Sequence, residues 1–239
     1  MTPFAAQFQI PFGFEYFAIL LWATSGAIVG WRKGYDIVGV FVIAFLSSFG
    51  GGLLRDGMFL SRLPVVLTNP TYFWVLTAAV LGVMVAGRRV TRNELLPKVV
   101  SVIDALGTPM FIVLGAEIAR GRVLSMVSIV LLATVTAVGG GLLRDVVAGD
   151  TPELLRPGQY NTLLVIVAAY LYMALAYRVG VDRVTSAWII IGLFFITRLL
   201  TIRFNWRSRP LHEFRVSSVM ELVGLKKNED EEAHAKSAK

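Results

Sequence analysis

The heptapeptide Gly-Gly-Gly-Leu-Leu-Arg-Asp occurs twice in the chain, at residues 50–56 and again at residues 139–145, each time at the end of a long apolar run. A glycine costs a helix interior about 1 kcal/mol relative to alanine, so three in a row weaken any helix that contains them. A duplicated glycine triplet followed by a fixed Arg-Asp pair points to an internally repeated protein with two deliberately weakened helices. The setting of those helices is hydrocarbon. Apolar residues make up 56% of the 239-residue chain and the mean hydropathy is +0.68, above the roughly 45–50% of an ordinary soluble domain.

A membrane span needs about 20 mostly apolar residues. Seven stretches meet that need approximately: residues 15–31, 37–54, 72–87, 99–119, 123–143, 161–177 and 184–202. The first fourteen residues lack the basic segment of a signal peptide. With no cysteine in the chain, disulfides, thiolate catalysis and cysteine metal sites are excluded. Both histidines, His212 and His234, fall in the C-terminal tail. The spans therefore offer no imidazole for acid–base work or metal ligation, and an enzyme is not expected. No cofactor, metal or nucleic acid is implied.

The net charge of +7 matters through its distribution. On alternating sides of the seven spans, one face collects Arg55, Arg62, Arg120, Arg122, Arg178 and Arg183. The other collects Arg32, Lys33, Arg88, Arg89, Arg92, Lys98, Arg144 and Arg156 together with the basic tail. The excess of Lys and Arg marks the cytoplasmic side. The expectation is a multi-pass protein of the inner (cytoplasmic) membrane with its N-terminus outside and its C-terminus in the cytoplasm.

Sliding the chain against itself by 89 residues aligns Glu15 with Asp104, Gly26-Ala27 with Gly115-Ala116, Lys33 with Arg122 and the two heptapeptides throughout. Each copy holds three spans, an odd number, so the second copy enters from the opposite side and a pseudo-two-fold axis lies in the membrane plane. The expected fold is an all-α integral membrane protein of seven transmembrane helices, two inverted three-helix repeats plus a seventh helix, with helices 2 and 5 kinked at their glycine triplets. The expected segments are an N-terminal extracytoplasmic stretch 1–14, repeats at 15–97 and 98–180, the seventh helix at 181–202 and a cytoplasmic tail at 203–239.

Such folds place a binding or permeation route where broken helices of the two repeats meet. Gly50, Gly51 and Gly52, with Gly139, Gly140 and Gly141, are the candidates. They either bend or unwind the helix and line a polar path, or they let two helices pack closely. Arg55, Asp56, Arg144 and Asp145 follow. Charges near hydrocarbon are usually paired and face protein or water, and adjacent residues of a helix do not face each other. Each is expected to find a partner on another helix, the alternative being a position at the interface. Asp104, about two turns inside span four, and its counterpart Glu15 belong to the same set; Asp104 either faces the path or pairs with an arginine such as Arg55 or Arg144. Glu117 and Arg198 read as snorkelling groups. Trp22, Trp31, Trp74, Trp188 and Trp206 read as interfacial or packing aromatics.

The tail divides in two. Arg203, Arg207 and Arg209, interleaved with Phe204 and Trp206, suit either anionic lipid at the cytoplasmic face or a solvated linker. From Lys226 onward high charge and almost no apolar content predict disorder.

The first unit, RKGYDIVGVFVIAFLSSFGGGLLRDGMFL from Arg32 to Leu60, and the second, through VIDALGTPMFIVLGAEIA (Val102 to Ala119) and GGGLLRDVVAGDTPELLRP (Gly139 to Pro157), together resemble the prokaryotic branch of the trimeric intracellular cation (TRIC) channel family. The resemblance spans about residues 15–200. It implies a homotrimer in which each protomer holds its own potassium- or sodium-conducting pore, with the glycine triplets as kinks of the pore helices. The Lys-Glu-Val element of animal members has no clear counterpart in span four, so their gating and lipid regulation do not carry over. The same bacterial group is also labelled a glycine transporter domain. A small zwitterion would suit a site with Asp104 or Glu15 for its ammonium and Arg55 or Arg144 for its carboxylate. A channel needs a continuous wet path with weak binding; a transporter needs an occluded site and alternating access.

Overall fold

The computed structural model describes residues 13–61, 63–90, 96–122, 124–155 and 161–204. Among them the secondary structure is entirely helical. The principal elements are α1 (Phe14–Arg32), α2 (Ile37–Leu53), α3 (Thr71–Val90), α4 (Leu96–Arg120), α5 (Met126–Val147), α6 (Asn161–Ala174) and α7 (Arg183–Arg203). All seven expected spans are present as helices. Six are long and apolar enough to cross a bilayer, and α3 carries a shorter apolar stretch, Thr71–Gly87. The protein is an all-helical, multi-pass membrane protein.

The helix boundaries follow local chemistry. Asp36 caps α2 by accepting from the Gly39 N–H at 2.8 Å, Ser125 caps α5 through Ser128 N–H at 3.2 Å, and Asp182 caps α7 through Thr185 N–H at 3.0 Å. That last hydrogen bond, made outside the membrane span, holds the Asp182 carboxyl below the usual carboxylate range. Two helices end in π turns: α2 runs on into Leu54–Phe59, and α6 into Leu175–Val179, which stops at Gly180 in the left-handed region with φ 82°. The wider turn after α2 begins immediately before Arg55.

Two large hydrophobic cores form, beside a smaller cluster of Phe14, Ala18, Met110, Leu114 and Ile191 that joins α1, α4 and α7. One joins α1, α2 and α3 around Ala27, Val40, Ala44 and Leu76. The other joins α4, α5, α6 and α7 around Ile112, Ala116, Ala133 and Val165. They meet where α2 packs on α5 and α1 on α4. Trp74 and Trp188, 66% and 56% exposed, point outward as lipid-facing aromatics do. Arg203 ends α7 and is exposed. Arg207, Arg209, the remaining tail and most of segment 1–14 lie outside the described residues.

Candidate functional site

The site is built on the crossing of α2 and α5. Both glycine triplets are helical: α2 stays an α-helix through Gly52, and α5 runs unbroken through Gly139, Gly140 and Gly141. Local unwinding at the triplets is therefore not what the glycines supply. They supply contact. A Cβ on Gly51 would sit less than 3.0 Å from the Thr136 carbonyl, and a Cβ on Gly140 less than 3.0 Å from the Ser47 carbonyl oxygen. The two contacts exchange into each other under the offset of 89, since 47 + 89 = 136 and 51 + 89 = 140. The same relation holds one layer out. Gly26 of α1 lies against Ser47 and Ala44 of α2, and Gly115 of α4 against Thr136 and Ala133 of α5, each with an ideal Cβ under 3.0 Å from its neighbours. Close approach of backbones through small residues is how membrane helices associate.

The third glycine of each triplet has a different place. Gly52 and Gly141 have no backbone pressed against them, and each lines a cavity of about 30 Å³. That is room for roughly two waters. The first, called the outer cavity after the expected orientation, is lined by Glu15, Ile19, Ser48, Gly52, Arg55, Asp56 and Phe111 among others. The inner is lined by Asp104, Thr108, Ala137, Gly141, Arg144, Asp145 and Trp22. With one exception these pairs follow the offset from the first copy to the second. The exception is exchanged: Phe111, from the second copy, lines the outer cavity and Trp22, from the first, lines the inner one, with 22 + 89 = 111.

The charges gather in these walls. Arg55 and Asp56 are 4% and 0% exposed and bind each other, Nε to Oδ1 at 2.7 Å and Nη2 to Oδ2 at 3.0 Å. The expectation of a partner on another helix is wrong for Arg55. A guanidinium on a three-carbon stem can fold back onto the next carboxylate, and bidentate pairing in an apolar wall is strong. Arg144 meets the expectation in part. Its Nε donates to its own neighbour Asp145 at 2.9 Å, while Nη1 donates to Asp104 of α4 at 3.1 Å and to Ser25 of α1 at 2.8 Å. Ser25 in turn donates to the other oxygen of Asp104 at 2.6 Å. All four heptapeptide charges are buried within the protein. For Asp104 the two alternatives merge: it pairs with Arg144 and also lines the inner cavity. Glu15 is half-buried in the outer wall and accepts from the Tyr72 hydroxyl at 2.8 Å.

Two residues depart from their expected roles. Glu117 and Arg198 are 3% and 4% exposed, not snorkelling. Glu117 accepts from the hydroxyls of Tyr172 and Tyr177 and faces Arg183 at 3.6 Å; Arg198 is bound to Glu153. Residues of α6, its π turn and α7 surround Glu117, and Glu153, between α5 and α6, holds Arg198. Trp22, at 4% exposed, takes the packing alternative and is a wall of the inner cavity. Its indole edges lie against Gly107 of α4 and Gly141 of α5, and the Arg144 guanidinium stands 5.7 Å over its ring. Phe111, Ser25, Tyr72 and Glu153 carried no signal of their own in the sequence, although the offset of 89 would have drawn Phe111 out beside Trp22. Glu153 lies outside the spans, between α5 and α6, and burial raises its carboxyl above the usual range against the opposing pull of Arg198.

One sequence model, that of the family described as glycine transporter, matches the chain twice, at residues 12–88 and at residues 101–177. The two matches are displaced by 89 residues, since 101 − 12 = 89. A solved TRIC cation channel superimposes with a TM-score of 0.72 at 26% identity, covering 82% of this chain and 95% of that one. The chain belongs to the TRIC family. A second TRIC structure, the orthologue from Rhodobacter sphaeroides, shares the fold with a TM-score of 0.73 at 23% identity over 80% of this chain and 96% of that one. Among sequence relatives, a UPF0126 membrane protein of Deinococcus radiodurans is 33% identical over 59% of this chain, an alignment that spans 64% of the relative's length. The UPF0126 inner membrane protein YadS of Escherichia coli is 29% identical over 77% of this chain and 88% of its own.

Proposed function

We propose that this TRIC-family chain conducts monovalent cations, potassium or sodium, along a path that runs from the outer cavity past the α2–α5 glycine crossing to the inner cavity. Repeats at 15–97 and 98–180 are inserted in opposite senses, α7 completes the protomer, and each protomer of a homotrimer carries its own path. The observation that carries this reading is the pair of cavities. They are lined by residues displaced by 89, they flank one crossing, and each holds more carboxylates than guanidinium groups. Among the described lining residues the outer cavity has Glu15 and Asp56 against Arg55, and the inner has Asp104, Asp145 and Glu153 against Arg144. An excess of fixed negative charge in a low-dielectric wall raises the local cation concentration and repels anions. Reciprocal backbone contacts at Gly51 and Gly140 support the inverted arrangement, because only a two-fold relation makes a contact self-complementary. The glycine triplets act in this path by setting the crossing through their first two residues and the cavity wall through the third, and a bend there remains part of the proposal. The Lys and Arg asymmetry supports an inner-membrane orientation with the N-terminus outside.

The zwitterion reading requires an arginine free to take a carboxylate. Arg144 is committed to Asp104, Asp145 and Ser25, and Arg55 to Asp56, which favours the cation. The experiment is electrical. Purified protein in planar bilayers under a potassium gradient is expected to give unitary currents that reverse near the potassium potential. Saturable uptake of labelled glycine into liposomes, without such currents, would replace the channel by a transporter.

A further inference from the structure

We propose that Trp22 and Phe111 together form the closed partition of the path, and that their separation is the step that joins the two cavities. The inference rests on the permeation reading above. The two aromatics stand at corresponding positions of α1 and α4 and meet edge to face, with centroids 6.2 Å apart and planes at 74°. Each forms part of the wall of the cavity built chiefly by the other copy. The layer between the cavities is thin. On α1, Ile19 faces the outer cavity and Trp22 the inner; on α4, Thr108 faces the inner and Phe111 the outer. Three residues of helix rise are about 4.5 Å, so one layer of side chains divides the two spaces.

The layer is also held in a way that backbone is not. Along α2 and α5 the partition is the glycine crossing, where the two main chains touch at Gly51 and Gly140. Along α1 and α4 it is two rings on rotatable bonds. The Trp22 ring is held between the Gly107 and Gly141 backbones and beneath the Arg144 guanidinium. Its Nε1–H, buried, finds no acceptor among the described residues, whereas a rotation into the inner cavity would bring that N–H to water and to the Asp104 and Thr108 oxygens in the same wall. The closed position is thus held by packing and a cation–π contact and opposed by an unsatisfied donor. That combination suits a part that moves.

The test uses full-length protein in liposomes. Potassium efflux through Trp22→Ala and Phe111→Ala is expected to rise about tenfold over the wild type, equivalent to about 1.4 kcal/mol in the closed-to-open balance. Because the chain has no cysteine, a second readout is independent of flux. Thr108→Cys, in the inner cavity, is exposed to silver ion from the face at which α1 begins. Adding Trp22→Ala to that variant should speed its modification by about the same factor. Loss of a purely structural aromatic would lower flux, so a gain is the diagnostic direction. The proposal is overturned if Trp22→Ala and Phe111→Ala elute and melt like the wild type yet conduct no faster and leave the silver rate unchanged. In that case wild-type potassium currents would leave the channel reading standing. If no variant conducts potassium but silver modification accelerates, the partition stands and the channel reading falls. If neither changes and nothing conducts, both fall.

Discussion

Replacing Gly51 or Gly140 by alanine tests the crossing most directly, because the structure allows the cost to be worked out. The new methyl on Gly51 would lie 2.8 Å from the Thr136 carbonyl carbon, where an ordinary carbon–carbon contact needs about 3.5–4.0 Å. The obstacle is backbone, which cannot rotate away as a side chain can, so α2 and α5 must part by about 1 Å. Overpacking of this kind costs about 3 kcal/mol at the upper end of its usual range. Alanine returns about 1 kcal/mol of helix propensity over glycine, leaving a net loss of about 2 kcal/mol. For a chain of this size that is a fall of about 4–8 °C in melting temperature. Gly52 provides the control. Its nearest neighbour is the Arg55 Nη2 at 3.8 Å, so Gly52→Ala keeps the propensity gain of about 1 kcal/mol without the clash and should melt at or slightly above the wild type. Thermal unfolding in detergent followed by tryptophan fluorescence, beside potassium flux from liposomes, reads both. Larger substitutions, Gly51→Leu and Gly140→Leu, should abolish flux while the protein still inserts. Equal melting and equal flux for Gly51→Ala and Gly52→Ala would refute the reasoning, for it would mean that the two helices do not touch at the first two glycines.

Arg144→Met should destabilise the inner wall by about 3–5 kcal/mol, because it strands the Asp104 and Asp145 carboxylates; the triple change with Asp104→Asn and Asp145→Asn should recover most of that loss in the same melting assay. Glu153 gives a pH dependence. Its folded-state pKa is raised by burial, so its contribution to stability is fully present below the ordinary carboxylate range and is lost as pH rises through the raised value. The same proton neutralises one carboxylate of the inner cavity. Potassium flux should therefore fall on acidification at a pH above the usual carboxylate range, and Glu153→Gln should remove that step from the flux–pH curve. Truncation after Leu225 should leave flux from correctly folded protein unchanged, since the stretch beyond carries high charge and almost no apolar residues.

The helices, the duplication and the membrane class were legible because each rests on a long pattern: seven apolar runs and a match that holds its register from Glu15 to Asp56. The membership of Gly52, Arg55, Asp56, Glu15 and their counterparts in one site was legible for the same reason, since duplicated polar residues in hydrocarbon are not bystanders. Pairing was not. In both copies the arginine binds the aspartate that follows it, although a π turn begins at Leu54 in one and the helix stays regular in the other, and nothing in Leu-Leu-Arg-Asp says that Arg144 alone also reaches across to other helices. The difference comes from what packs outside: Asp104 and Ser25 are there to receive Arg144, whereas Glu15 is turned to Tyr72. Burial of Glu117 and Arg198 failed to show for a related reason. Their position along the helix suggests an interface, and only the tertiary partners, Tyr172 and Tyr177 for Glu117 and Glu153 for Arg198, convert a helix end into an interior.

The departures from the offset of 89 then describe how the two ends of the path differ. Where the outer cavity has Ile19, Pro64 and Tyr72, the inner has Thr108, Glu153 and Asn161. Every one of these exchanges adds hydrogen-bonding or charged groups to the inner side or removes apolar surface from it. The positions that cannot diverge are those where two backbones meet, Gly51 against Thr136 and Gly140 against Ser47, because a side chain there would push apart the halves that the contact joins. A duplicated chain of this kind is free to make its two mouths chemically unequal while its waist stays symmetric. For a cation the consequence is a more polar inner end, where two carboxylates share the Arg144 guanidinium and the third, Glu153, is paired with Arg198. Occupancy should therefore be asymmetric even when the potassium concentrations on the two faces are equal.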